Sequence, residues 1–217
     1  MRDPTVAPPP VNRGTGPAKA EEMSREIHTM GCPYHEARIH CIMDFSVSHD
    51  APFPRPLVFA THRDEFEAIA PRMSEVERVR LKSQSTAADG TIIQKHEWFG
   101  HPSALPFLIR PLVPKEMLRW FGHTHWNPHD FVCRWSVEVP ALGPMADITG
   151  TQSYVQTPTG CRIELTGRFE FHPERVPRVR LPPGAVPVVE RFAVSLIPPL
   201  LQKSGGAVVE HLRESGR

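Results

Sequence analysis

The densest group of potential metal ligands is the histidine-rich segment His123-Thr124-His125-Trp126-Asn127-Pro128-His129. Residues two apart on an extended strand point to the same side, so His123 and His125 share a face, and His129 follows in the next turn. An HxH pair of this kind is one way of building a zinc site. The competing interpretation is a strand edge with ordinary hydrogen bonds, which is favoured because no carboxylate second shell can be assigned. We therefore predict no metal and no cofactor, and keep these three histidines as the metal candidates.

Acid–base catalysis would need a titratable side chain inside an apolar cavity, close to its substrate. No two candidates stand at a spacing that is diagnostic of a catalytic pair, and each is interpreted as an outer-face or cavity-rim residue. The sequence also contains no GxSxG, no glycine-rich phosphate loop and no HExxH. Residue patterns alone therefore leave the catalytic residues unassigned and favour a protein without catalytic activity. The candidates by residue type are His96, Glu97, Arg119, His123, His125 and Tyr154.

Four segments between Lys115 and Phe171 have the residue alternation of β-strands, and they must position these side chains. Residues 130–139 and 161–171 each place apolar side chains at every second position and polar ones between them, the pattern of a half-buried strand. Residues 146–156 form a weaker strand that is joined to the last one by a tight turn. Residues 116–126 carry large rings on both faces, so which of their faces is buried is left open.

Three further elements are predicted before this block. In residues 37–48, apolar and polar side chains alternate, which predicts a first strand. Residues 57–73 have the periodicity of a helix, with Thr61 as a candidate N-cap. Pro71 is expected to kink this helix or to split off its last turn. The pair Asp89-Gly90 predicts a hairpin between two strands.

The C-terminal segment carries an apolar stripe at helical spacing, which predicts a long helix that is kinked or divided at Pro198. Residues 100–114 form an apolar, proline-rich loop that should cover a core, a ligand or a partner. Residues 1–36 are predicted to be a disordered tail, and residues 37–213 a single domain.

Composition narrows the function classes. The net charge of +1 over 217 residues offers no electrostatic footprint for nucleic acid. The four cysteines lack CxxC spacing and are interpreted as reduced thiols in a cytoplasmic protein. No stretch is apolar enough to cross a membrane, and the N-terminus lacks the apolar core of a signal peptide. The oligomeric state stays open.

The order of elements is a strand, a short helix, about six antiparallel strands and a long apolar-faced helix. From Ala37 to Leu212 this order resembles the helix-grip fold of the START-like (SRPBCC) superfamily, which includes birch-pollen-allergen-type proteins, lipid-transfer START domains and polyketide cyclases. The nearest likeness is to an uncharacterised bacterial START-like branch. The short sequence features that resemble this branch are Phe59-Ala60-Thr61, the run Trp120, Trp126, Phe131 and Trp135, and the pairs Gly150-Thr151 and Gly160-Cys161.

The resemblance implies an α+β fold in which a curved antiparallel sheet of about six or seven strands wraps a long C-terminal helix, with short helices after the first strand. It also implies a cavity between sheet and helix that holds a hydrophobic small molecule, either a lipid or a polyketide-like compound. Two alternatives are a cyclase/dehydratase-like enzyme, and a peripheral-membrane or protein-interaction module that uses Leu108 and Ile109. The cavity candidates are Trp98, Leu105, Phe107, Leu108, Trp120, Phe131, Cys133, Trp135, Tyr154, Phe169, Phe192 and Leu196.

Overall fold

The computed structural model describes residues 41–104, 110, 115–176 and 185–217. The predicted disordered tail and most of the apolar loop lie outside these residues. The helices are α1 (Arg55–Asp64), α2 (Phe66–Ile69) and α3 (Ala185–Glu214). The strands are β1 (Cys41–Ala51), β2 (Val76–Thr86), β3 (Ile92–Gly100), β4 (Arg119–Asn127), β5 (Val132–Glu138), β6 (Ala146–Thr157) and β7 (Gly160–Phe171).

All seven strands form one antiparallel sheet in the order β1-β7-β6-β5-β4-β3-β2. Side chains alternate between the faces of a sheet, and directly paired residues share a face. The pairs Trp98–Trp120 and Thr124–Trp135 therefore place all three tryptophans on the same, helix-facing side. We call this side the concave face. The predicted strands and the predicted sheet with a C-terminal helix are confirmed.

The helices cover the concave face in two regions. The C-terminal half of α3 packs with α1 and α2 over Trp126, Cys133 and Tyr154. Further towards its N-terminus, α3 packs at Ala193 and Ile197 against the side chains of β1, β6 and β7. Gly205 allows a close approach to β1, because a Cβ there would lie 2.9 Å from Cβ of His49. α3 therefore contributes to both hydrophobic core clusters.

The open question about β4 is settled by its register and burial. Trp126 is 2% exposed, and its partner Cys133 is 1% exposed, so Trp120, Gly122, Thr124 and Trp126 face the helices. His123 and His125 consequently lie on the convex face, which points away from α3.

Two local predictions were wrong. Thr61 is not an N-cap: α1 begins at Arg55, with a proline in its first turn, and Thr61 lies buried inside the helix. Proline fits a first helical turn because the N–H that it lacks has no partner there, so the helix starts earlier than its apolar spacing indicated. At Pro198 a kink or a division was predicted, and the division is wrong, since α3 runs through Pro198 and Pro199 as one element.

Cys133 and Cys161 are buried free thiols. Burial raises the pKa of Cys161 to about 11 and raises that of Cys133 further, so both are protonated at neutral pH. Among the described residues, no helix is both long enough and apolar enough to span a membrane.

Candidate ligand-binding face

Three half-buried aromatic side chains line one part of the concave face. Trp98 and Trp120 stack with ring centroids 5.8 Å apart and an interplanar angle of 16°. Phe66, from α2, meets Trp98 edge-on at 5.0 Å. Trp135, on β5, lies apart from this stack, because it pairs with Thr124 rather than with Trp120. We call Phe66, Trp98 and Trp120 the aromatic wall. Its indole faces suit a flat apolar molecule, because aromatic rings prefer stacked and edge-to-face contacts.

Trp135 lies flat across the sheet because β6 and β7 have glycines beneath it. A Cβ on Gly150 would approach Cε2 of Trp135 to 2.7 Å, and one on Gly167 would approach its Cη2 to 2.8 Å. Phe45 stacks beside the indole at 6.3 Å. The indole Nε1 is buried and has no hydrogen-bond partner among the described residues. Two glycines in register thus make room for a large ring whose one polar atom is unpaired.

A buried polar network ties α1, β6 and α3 together. Nε2 of His62 lies 3.1 Å from the Ser204 hydroxyl, and the Tyr154 hydroxyl lies 2.7 Å from Nδ1 of the same ring. Gln152 donates to that tyrosine hydroxyl at 2.7 Å. Burial lowers the pKa of His62 to about 3 and raises that of Tyr154, so both side chains are neutral at pH 7. The tyrosine then donates to Nδ1 and the ring donates from Nε2, which satisfies both of its nitrogens.

Next to this network, the described side chains leave a cavity of about 10 Å³ between the sheet and α3, which is the room of a single water molecule. A ligand larger than water does not fit this cavity. The cavity is lined by Val47, Ser48, His49, Gln152, Ile163, Leu165, Leu201, Gln202 and Gly205.

The predicted cavity residues are distributed over several places. Trp98 and Trp120 come together in the aromatic wall, whereas Trp135 lies beside Phe45 over Gly150 and Gly167. Phe131, Cys133 and Tyr154 pack in the core beneath α1, where Phe59 contacts the rings of Phe131 and Tyr154 at 5.4 and 5.2 Å. Phe169 stacks on Phe171 beside the N-terminal part of α3. Leu105, Phe107 and Leu108, and the side chains of Phe192 and Leu196, lie outside the described part of the chain.

The convex face holds most of the predicted acid–base and metal candidates. His123 pairs with Glu138 at 3.3 Å, whereas His125 and His129 are exposed. Glu97 is 5% exposed because Arg119 and Lys82 cover it. Burial acts to raise the pKa of Glu97, but the hydrogen bond and charge of Arg119, with the charge of Lys82, hold it below its usual value. These groups form a surface ion-pair network.

His96 and Tyr154 do not occupy the outer-face or rim positions predicted for them. Both are buried on the concave face, at 4% and 2% exposure. The ring of His96 lies 5.8 Å from that of Phe66, and its strand partner is Gly122. Burial lowers the pKa of His96 while the charge of Glu67 acts to raise it. His96 is therefore a neutral polar group beside the aromatic wall.

One cluster in the described ranges brings three potential metal ligands within 4.8 Å of one another: Asp147, Glu170 and His172. Arg175 donates to Asp147 at 2.6 Å, and Glu174 lies 3.0 Å from Nδ1 of His172. The carboxylates thus have protein cations and a histidine as partners. The cluster is an ion-pair network at the corner where β7 ends.

Sequence reasoning missed Phe66, His62, Gln152 and Ser204. His62 follows Val58 by four residues and Phe59 by three, and Phe66 follows His62 by four, so helical periodicity places these side chains on one face of the α1–α2 segment. That spacing was the available signal. Nothing local indicated Gln152 or Ser204, because their partner is 90 or 142 residues away.

The architecture is the helix-grip fold, and the structural neighbours are START-like proteins with this fold. A Thermus thermophilus protein superposes with a TM-score of 0.57 at 16% identity, covering 80% of this chain and 99% of its own. The Zhui aromatase/cyclase from a Streptomyces species superposes with a TM-score of 0.52 at 12% identity, covering 82% of this chain and 96% of its own. Norcoclaurine synthase from Thalictrum flavum superposes with a TM-score of 0.52 at 10% identity, covering 81% of this chain and 88% of its own. Comparison of the sequence with family models and with curated proteins found no match.

Proposed function

We propose that this protein binds a flat, apolar small molecule of polyketide-like, aromatic character against the aromatic wall on the concave face of the sheet. The observation that carries the proposal is the half-buried, stacked pair Trp98–Trp120 on the concave face. Stacked indoles match planar rings better than the flexible chain of a lipid. Two similar folds act on or hold such molecules, since one is an aromatase/cyclase and the other was solved with dopamine and hydroxybenzaldehyde.

Burial of apolar surface supplies most of the affinity in this proposal. A ligand that removes about 200 Å² of apolar surface from water gains about 5 kcal/mol before the costs of association are subtracted. Each indole face provides a large share of that area. Loss of one tryptophan from the stacked pair should therefore weaken binding by more than the loss of an aromatic ring elsewhere on the same strand.

Trp120 and Phe121 provide a matched test, because they are neighbours on β4 that point to opposite faces. With 9-fluorenone as the probe, we expect Trp120→Leu to weaken binding about tenfold or more and Phe121→Leu to change it less than about twofold. Quenching of tryptophan fluorescence and native mass spectrometry measure the affinity. Equal effects of the two substitutions, or no binding of fluorenone to the unmodified protein, would contradict the proposal.

A second candidate function, cyclase-like catalysis, is favoured by His96 alone. Its neutral, buried imidazole lies beside the aromatic wall, where a base could accept a proton from a bound ketone. The model reaction is the intramolecular aldol condensation of 2,6-heptanedione, which gives 3-methylcyclohex-2-enone and water. The protein should accelerate it, and His96→Gln should lower the rate about 100-fold or more while fluorenone affinity stays within about twofold. A rate equal to that in buffer would leave binding as the function.

A further inference from the structure

The corner where β6 begins and β7 ends carries two carboxylates directly opposite each other. Asp147 on β6 and Glu170 on β7 are cross-strand partners on the convex face. Like charges in such a pair repel, so this position favours a cation between them. His172 lies there, with its side chain buried at 6% exposure and its Nε2 facing both carboxylates. We call Asp147, Glu170 and His172 the corner cluster.

The donor atoms of the corner cluster have the spacing of metal ligands. Nε2 of His172 lies 3.1 Å from Oε2 of Glu170 and 3.5 Å from Oδ2 of Asp147. One ligand atom from each of the three residues lies within 4.8 Å of the others. Zinc binds nitrogen and oxygen ligands tetrahedrally at about 2.0–2.1 Å, which puts neighbouring ligands about 3.3 Å apart. Three protein ligands and one water molecule would complete such a site.

Glu174 holds the histidine of the corner cluster in a ligating orientation. Its Oε1 lies 3.0 Å from Nδ1 of His172. When Nδ1 donates its proton to this carboxylate, Nε2 presents its lone pair to the other two carboxylates. A carboxylate on the far ring nitrogen is the usual means by which a metal-binding histidine is fixed in tautomer and direction. The buried imidazole is therefore set up as a nitrogen ligand.

The other histidine candidates on the convex face have a simpler surrounding. His123 pairs with one carboxylate of the same face, Glu138, at 3.3 Å. Among the residues that the structure describes, the corner cluster is the one group that brings three potential metal ligands together. The His123–Glu138 pair therefore provides a matched control with the same residue types.

We propose that the corner cluster is a binding site for Zn²⁺, with its three residues as ligands and Glu174 as the carboxylate that orients the histidine. The ion would take the place of the proton by which His172 links both carboxylates, and it would tie the start of β6 to the end of β7. The site lies on the convex face, so it does not depend on the function proposed for the aromatic wall.

Arg175 sets the affinity of this site. Its guanidinium donates to Oδ2 of Asp147 at 2.6 Å. A carboxylate offers about four lone-pair positions, so Asp147 can accept this hydrogen bond and bind a metal ion at the same time. The positive charge of Arg175 nevertheless opposes a second cation beside it. Removing this charge should therefore strengthen zinc binding while it weakens the ion-pair network.

Calorimetric titration of the EDTA-treated full chain with ZnCl₂ alone tests the proposal. The unmodified protein should bind one Zn²⁺ at the corner. Asp147→Asn and Glu170→Gln keep the shape of the side chain and remove its charge, and each should weaken this binding about tenfold or more. His123→Gln is the control and should change it less than about twofold.

Two further variants separate a metal site from an ion-pair network that serves stability alone. Glu174→Gln should weaken zinc binding about tenfold, because the imidazole loses the carboxylate that orients it. Arg175→Gln should strengthen zinc binding about threefold or more and lower the urea midpoint measured in EDTA. A network without a metal site would show the fall of the midpoint and no change in zinc affinity.

The proposal is overturned if the unmodified protein binds no Zn²⁺ below about 1 mM. It is also overturned if Asp147→Asn and Glu170→Gln leave the affinity unchanged, because the ion would then bind elsewhere. Each of these variants removes one charge of a repelling pair, so both should fold, and the urea midpoint in EDTA checks this. If neither folds, unchanged zinc affinity in both Glu174→Gln and Arg175→Gln overturns the proposal.

Discussion

Replacing Gly167 with alanine is expected to lower the free energy of unfolding by about 3 kcal/mol. The new Cβ would lie 2.6 Å from Cε2 of Phe45 and 2.8 Å from Cη2 of Trp135. Carbon atoms attract at about 3.5–4.0 Å and repel at these distances, so at least one ring must leave its place. Urea denaturation measures the loss of stability.

The control for this substitution is Gly143→Ala, at an exposed turn where nothing lies within 4 Å of the added Cβ. Gly143 has a φ of 53°, so alanine there costs about 1 kcal/mol from backbone strain alone. Phe45→Leu combined with Gly167→Ala should be more stable than the sum of the single effects predicts, because the smaller side chain relieves the overlap. A Gly167→Ala protein as stable as Gly143→Ala would mean that the rings do not lie over the glycine.

Lowering the pH from 7.5 to 5 is expected to cost the protein about 2 kcal/mol of stability through His62 alone. Burial lowers the pKa of this ring from 6.5 to about 3 in the folded state. Above pH 6.5 the ring is neutral in both states and contributes no pH dependence. Between pH 6.5 and 3 the unfolded chain binds a proton that the folded protein excludes, so stability falls by up to 1.36 kcal/mol per pH unit. Below pH 3 both states are protonated and the loss stops.

His62→Gln separates titration from hydrogen bonding. At pH 7.5 the variant should be less stable by about 2 kcal/mol, because the network with Tyr154 and Ser204 loses its geometry. When the pH is lowered to 5, the variant should lose about 2 kcal/mol less of its free energy of unfolding than the unmodified protein loses. His125→Gln, at an exposed convex-face position, should leave the stability at pH 7.5 unchanged. An NMR titration that places the pKa of His62 near 6.5 would contradict this account.

The sequence by itself determined the strands and most of their buried faces. Alternation in β1, β5 and β7 placed Phe45, Cys133 and Phe169 on one side, and the structure buries all three. Alternation with a period of two depends only on the strand geometry of neighbouring residues, so it can be recognised without tertiary contacts. The order of elements and the apolar stripe of the last helix then predicted the helix-grip architecture, which is confirmed.

Where both faces of a segment carry similar residues, the local pattern did not determine which face is buried. β4 has large rings on each side, and pairing with β3 and β5 decided that Trp120 faces α3 while His123 faces away. The same pairing turned His96 inward. The choice between the faces depends on the total area buried by all the neighbouring strands, which no single segment contains.

The candidate site itself was decided by the tertiary structure. The aromatic wall combines residues of α2, β3 and β4. Trp135 can lie flat only because glycines of β6 and β7 come into register beneath it. The His62 network joins side chains 90 to 142 residues apart. Such contacts depend on strand register and on where a helix docks, and these are set by the packing of the whole core rather than by local propensity. The sequence supplied the types of these residues, but only the tertiary structure brought their side chains into contact.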